Sequence, residues 1–264
     1  MAQSLSASLA GRPAGVWRAD RIATSGLGTL PSQFAALDAE LPGGGWPIGA
    51  LTELMAPAAG CGELRLLAPA LQGLTHAGRS VLLLAPPQVP YAPALSALGI
   101  DLKQVILVGP LAAGDQLWAV EQALRSAHFG ALLAWLPHPA TRPEHLRRMQ
   151  LAAQGAHGPA FLFRPPAVGA QASPAALRLR LQPQPEQRLA VEVLKRRGPV
   201  LSAPVIIDLP MPPQTVRPSR KLTPRASAEI SPAALTPGPV RLGAAHLRLP
   251  GIPDTAAADP AALR

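Results

Sequence analysis

The chain holds few of the residues that build redox, metal or stacking chemistry. Among its 264 residues are one cysteine (Cys61), one tyrosine (Tyr91), and four each of phenylalanine and tryptophan. A lone cysteine excludes an internal disulfide. The six histidines, His76, His128, His138, His145, His157 and His246, show no H-E-x-x-H pair and no zinc-site spacing with cysteine. No metal is expected. With so few aromatics, platforms for stacking single-stranded bases are scarce. Long apolar runs are also missing: Val81 to Pro87 and Ala131 to Pro137 fall far short of the roughly 20 residues that span a bilayer. The first residues lack a basic segment followed by an apolar stretch. The expectation is a soluble, cytoplasmic protein with no membrane partner. Carboxylates are sparse and unpaired, no G-x-S-x-G elbow occurs, and Cys61 has no histidine near it in sequence to activate a thiolate. No catalytic residue is expected.

Lysine is scarce as well: three lysines accompany 21 arginines, a bias that the base composition of a genome could also produce. The formal charge of +9 is local. Residues 1–177 hold 11 basic and 9 acidic side chains, residues 178–225 hold 10 and 3, and residues 226–264 hold 3 and 3. Such a local excess can meet phosphates or an acidic partner. The candidates are Lys195, Arg196 and Arg197 at a strand end, followed by Arg217, Arg220, Lys221 and Arg225. Phosphate contacts by these groups would be independent of sequence and sensitive to salt. With so few stacking aromatics, protein contact outranks DNA binding.

Three segments are expected. Residues 1–30 mix glycine, serine and alanine without a period and read as a flexible arm that Trp17 could pin. Residues 31–208 alternate short apolar runs with stretches of helical length, the pattern of an α/β fold with a mostly parallel sheet flanked by helices. Residues 209–264 contain 11 prolines, which remove backbone donors and fix φ, so a disordered basic tail is expected. Within the core, strands are predicted at Leu51–Met55, Ser80–Ala85, Val105–Val108, Ala131–Leu136 and Ala160–Phe163. Helices are predicted at Glu63–His76, Tyr91–Leu98, Asp115–His128 and Pro143–Gln154. Leu177–Leu181 and Leu189–Leu194 alternate and predict an antiparallel hairpin at the sheet edge.

The segment from Ala56 to Glu63 lies between the first strand and the first helix, where a nucleotide-binding α/β protein keeps its phosphate loop. A working loop ends in Gly-Lys-Ser/Thr, because the lysine reaches the β/γ-phosphates and the hydroxyl holds Mg²⁺. Here Gly60, Cys61 and Gly62 are followed by Glu63 and Leu64. A carboxylate stands in place of the ammonium, and as a helix-starting residue it satisfies the helix dipole itself. Upstream, Gly43-Gly44-Gly45 reads as a tight turn feeding the first strand, and Trp46 as a buried side chain over it.

The order of elements, the run from Phe34 to Leu54 through Gly43-Gly44-Gly45-Trp46, and the motifs Gly62-Glu63-Leu64-Arg65-Leu66-Leu67, Ala85-Pro86-Pro87 and Pro90-Tyr91-Ala92-Pro93-Ala94-Leu95 together resemble the RecA-like fold. More closely they resemble the ImuA family of accessory proteins for mutagenic translesion DNA synthesis, over roughly residues 16–200. In RecA-type enzymes the acid that orients the attacking water falls near Pro87 here, and the Mg²⁺-associated aspartate near Trp135. With Glu63 at the lysine position, all three parts are missing. Loss of even one such part costs on the order of 10²–10³-fold. The resemblance thus implies a scaffold without ATPase activity and without a cofactor; weak ATP binding without hydrolysis is left open. It further implies a role in damage-induced mutagenesis, location at the nucleoid after damage, and three partners: an ImuB-like homologue of Y-family polymerases, an error-prone replicative-type polymerase, and RecA. Two alternatives stand beside it. One is a DNA-dependent ATPase with Lys103 as a displaced lysine. The other is a cell-division inhibitor resembling SulA, which shares distant RecA-like ancestry and acts by binding the division GTPase; such inhibitors look shorter, without the long basic tail.

Overall fold

The computed structural model describes residues 28–199 and 201–211. Its elements run β1 (Thr29–Leu30), α1 (Ala35–Asp38), β2 (Trp46–Pro47), β3 (Leu51–Met55), α2 (Glu63–His76), β4 (Val81–Leu84), α3 (Ala92–Ala97), β5 (Val105–Val108), α4 (Ala113–Ser126), β6 (Ala131–Trp135), α5 (Pro143–Ala153), β7 (Ala160–Arg164), β8 (Leu177–Gln184), β9 (Arg188–Lys195) and β10 (Val205–Asp208). One eight-stranded sheet has the order β10-β9-β8-β3-β7-β6-β4-β5. Its six strands from β8 to β5 pair in parallel, while β9 and β10 add antiparallel neighbours beyond β8. This is the expected α/β class with its antiparallel edge.

Helical crossovers cover both faces, so the central strands are apolar on both sides. Leu54, Leu133, Phe161 and Phe163 pack with α2 and α3 on one face. Leu51, Leu84, Leu132 and Leu162 pack with α4 and α5 on the other. Trp46 is fully buried and meets Phe161 edge to face at 5.2 Å. Its entry into the core depends on Gly45, where a Cβ would stand 2.3 Å from the Leu30 carbonyl oxygen. Only glycine lets β1 and β2 cross this closely.

Four elements go beyond the sequence expectation: β1, α1, β2 and β10. The pair β1 and β2 makes a small antiparallel sheet, with Thr29 and Leu30 inside the segment read as an arm. Strand β10 continues the edge hairpin, pairing Val205 with Val191 through Asp208 with Arg188. Leu209 and Pro210 follow it along the core, the Leu209 N–H donating to the Gln187 carbonyl. Trp17 and most of the proline-rich segment lie outside the described residues.

One polar cluster sits inside the apolar sheet. Glu53, at the middle of β3, is fully buried. Its Oε1 accepts from Arg164 Nη1 at 3.3 Å and from Ser173 Oγ at 2.8 Å, and its Oε2 accepts from Arg178 Nε at 2.7 Å. Arg178 also donates to the carbonyls of Val168, Gly169 and Gln171. Side chains from β3, β7 and β8 are thereby tied to the loop that joins β7 to β8.

Candidate functional site

In a parallel sheet the loops at the carboxyl ends of the strands converge, and ligand sites form there. The loop after β3 lies at that end. It turns through Gly60 (φ +81°) and Gly62 (φ +111°), and α2 starts at Glu63. At Gly62 a Cβ would meet Leu209 Cδ1 at 2.5 Å, because the segment after β10 lies over the loop. Arg65, one turn into α2, holds that segment: Nε donates to the Pro210 carbonyl at 2.9 Å, Nη2 to the Leu209 carbonyl at 3.0 Å, and Nη1 to Gln187 Oε1 at 2.7 Å. Desolvation lowers the pKa of Arg65.

Glu63 is buried, and its Oε1 accepts the Gly60 N–H at 2.7 Å. A loop N–H that would otherwise face a phosphate oxygen is thus taken by the chain's own carboxylate. The other oxygen, Oε2, is buried without a hydrogen-bond partner. Beside it, burial and then the Glu63 carboxylate push the Cys61 thiol up to about 12. The thiol is held in its unreactive protonated form.

The three positions singled out from the sequence come together. Glu63, Pro87 and Trp135 all line a cavity of about 300 Å³ and all line a neighbouring one of about 280 Å³. Their walls are apolar and aromatic. Tyr91, Pro86 and Leu64 bound the first cavity, and Phe163, whose ring stacks on Trp135 at 4.4 Å, bounds the second. Arg164 also lines the second cavity but is spent on Glu53. Neither lining offers a lysine or an aspartate for phosphoryl transfer. Lys103 does not supply the lysine. This residue precedes β5 and so lies at the opposite end of the parallel sheet from the loop after β3. Among the described residues no group of three or more His, Cys, Asp or Glu could hold a metal, and no helix is long and apolar enough to cross a membrane.

The basic candidates are elsewhere. Lys195 ends β9, which runs against the parallel strands, so Lys195, Arg196 and Arg197 gather at the other end of the sheet. Two of them are engaged internally. Lys195 Nζ donates to the Ser173 carbonyl at 2.8 Å. Arg196 Nε donates to the Pro199 carbonyl at 2.6 Å, and its Nη1 to the Glu40 carbonyl and, at 3.0 Å, to Glu40 Oε2. Arg197 is exposed. Arg217, Arg220, Lys221 and Arg225 lie outside the described residues.

Comparison with known proteins gives this geometry a family context. Residues 49–159 match the model of the family described as "Cell division inhibitor SulA". Among similar proteins is the cell division inhibitor SulA of Edwardsiella piscicida, 36% identical over 100 residues, which cover 38% of this chain and 58% of that one. The SulA of Pectobacterium carotovorum subsp. carotovorum is 34% identical over 110 residues, covering 40% and 63%. That of Pectobacterium atrosepticum is 35% identical over 107, covering 39% and 61%. The chain thus spans about three fifths of the length of the curated relatives it matches.

These matches overturn the ImuA resemblance. The motifs at 62–67, 85–87 and 90–95 that carried it all fall inside the stretch that matches SulA, so they do not select ImuA. The reading as a translesion-synthesis scaffold falls with it, as do the ImuB-like homologue, the error-prone polymerase and RecA as partners. Of the alternatives, the inhibitor is the one that the matches favour.

Proposed function

We propose that the chain is a non-enzymatic inhibitor of cell division, made in response to DNA damage, that arrests septation by binding the division GTPase FtsZ. The observation that carries the reading is the match of residues 49–159 to the SulA model. That stretch runs from the start of β3 through the loop preceding β7, and includes the converted phosphate loop, Pro87 and Trp135. The chemistry of the loop agrees with it. With the Gly60 N–H taken by the Glu63 carboxylate and burial pushing the Cys61 thiol up to about 12, the loop is suited to binding rather than to group transfer. On the same reading, the protease Lon would remove the inhibitor when damage has been repaired.

Controlled expression of the full chain in a rod-shaped bacterium tests the proposal. Filaments with unsegmented cytoplasm and intact nucleoids, relieved by raising the level of the division GTPase, are the expected outcome. Cells of normal length at high expression would refute it.

A further inference from the structure

On the opposite face from α2, the helices α4 and α5 border an open cavity of about 630 Å³ that neither the loop nor the basic cluster reaches. Such a volume falls within the roughly 300–1,000 Å³ common for ligand sites. Its apolar wall is Trp118, Leu117 and Pro139. Trp118 is 65% exposed although Leu117, Val120 and Leu124 of the same helix are in the core. An exposed indole beside arginine is the composition that dominates binding energy at protein interfaces.

Donors outnumber acceptors on the polar wall. Glu121 lines the cavity with its charge ion-paired: Oε1 takes Arg125 Nη2 at 2.7 Å, and Oε2 takes Arg148 Nε at 3.1 Å. That bond fixes Arg148 while its terminal nitrogens remain for another acceptor. Arg142 forms no ion pair among the described residues. Its backbone N–H donates to His145 Nδ1 at 3.1 Å, which places the hydrogen of a neutral His145 ring on Nε2. Arg142, His145 and Arg148 therefore present N–H groups to the cavity, and the ligand that satisfies them is an acceptor bearing negative charge.

We propose that this cavity docks a segment of a partner protein in which a carboxylate adjoins a bulky apolar side chain. The apolar group sits on Trp118, and Arg142, His145 and Arg148 hold the carboxylate. A polyphosphate strand fits less well, because a nucleic acid needs a continuous basic track and the basic wall here is confined to Arg142, His145 and Arg148. Only the identity of the molecule that carries the segment rests on the division-inhibitor reading; the cavity's preference for an acidic ligand is measured without it.

The test titrates the full chain into a blocked tetrapeptide whose two acidic residues flank leucine and phenylalanine, following the anisotropy of a fluorescein attached to the peptide. The corresponding tetrapeptide with amides in place of the acids, and a short oligothymidylate, serve as comparisons. Saturable binding of the acidic peptide is expected, weakened about tenfold or more by Trp118→Ala and by Arg142→Glu, the size of a hot-spot loss. Both residues are exposed, so neither change threatens the fold. Arg197→Glu, an exposed charge change at the far end of the sheet, is expected to leave binding unchanged. Equal binding of the amide peptide, preference for the oligonucleotide, equal loss in all three variants, or no binding at the highest chain concentration would each overturn the proposal. None of those results bears on cell filamentation, so the two readings fail separately.

Discussion

Replacing Glu53 by glutamine removes one charge from the centre of the sheet and almost no volume. In the wild-type protein the carboxylate answers two buried guanidinium groups, Arg164 at 3.3 Å and Arg178 at 2.7 Å. In Glu53→Gln both cations remain buried against a neutral amide. Arg178 keeps its three carbonyl acceptors, whereas Arg164 loses its only ion-pair partner among the described residues. Removing one partner of a buried pair costs about 3–5 kcal/mol. That is a large share of the roughly 5–15 kcal/mol by which domains are stable. For a domain of this size it corresponds to a fall in Tm of about 6–20 °C. Urea unfolding followed by circular dichroism is the assay, with the midpoint expected to fall and the slope to stay constant. A second variant separates charge from packing. Replacing Glu53, Arg164 and Arg178 together by apolar residues of similar volume should recover much of the loss, because such swaps are often neutral or stabilising. Unfolding of Glu53→Gln within about 1 kcal/mol of wild type would refute the reasoning, since it would mean that the cations are reached by water and never desolvated.

Other changes probe the loop. Gly62→Ala forces a side chain onto a left-handed backbone and should cost about 1–2 kcal/mol in thermal unfolding; the clash with Leu209 involves only the end of a flexible side chain and adds little. Arg65→Ala removes three hydrogen bonds to Gln187, Leu209 and Pro210, and limited proteolysis should then cut near residues 209–211 faster than in wild type. The Cys61 thiol, with its pKa raised to about 12, should react slowly with an alkylating reagent at pH 8 and faster as pH climbs towards 12. Glu63→Gln should shift that profile to lower pH, by removing a neighbouring negative charge. Linkage gives the matching sign for stability: the contribution of the protonated thiol is complete below pH 9 and is lost as pH rises to about 12.

Much of the fold is legible because local signals agree. Helix α2 has the expected bounds: Gly62 precedes it and Ala77-Gly78 closes it, with an apolar face between. The first five core strands are short apolar runs bounded by Gly, Pro or polar residues, and lie where those runs predict. Strand β10 was missed although Val205-Ile206-Ile207 is a β-branched run bounded by Pro204 and Pro210; what the run does not give is its pairing with β9. The Glu53 cluster was equally hidden. Its partners lie 111 and 125 residues away, and a single glutamate in Leu-Thr-Glu-Leu-Met gives no sign of them.

At the loop, the absence of lysine was readable, and so was the helix-starting role of Glu63. Its burial and its bond to Gly60 depend on packing. Trp118 escaped notice because a lone tryptophan on an amphipathic helix usually packs inward. The basic triple was read as one presented surface, and the carbonyls of Ser173 and Pro199, together with Glu40, engage two of its members. The family was the hardest inference, since the motifs at 62–67, 85–87 and 90–95 lie in the stretch that matches SulA and do not by themselves separate the two groups.

The most direct test of the central claim uses purified division GTPase with GTP and Mg²⁺, and measures polymer sedimentation and GTP turnover as the full chain is added. The expected result is loss of both at about one inhibitor per GTPase subunit, with no nucleotide consumed by the chain alone. Polymerisation and turnover unchanged at tenfold excess of the chain would contradict the account.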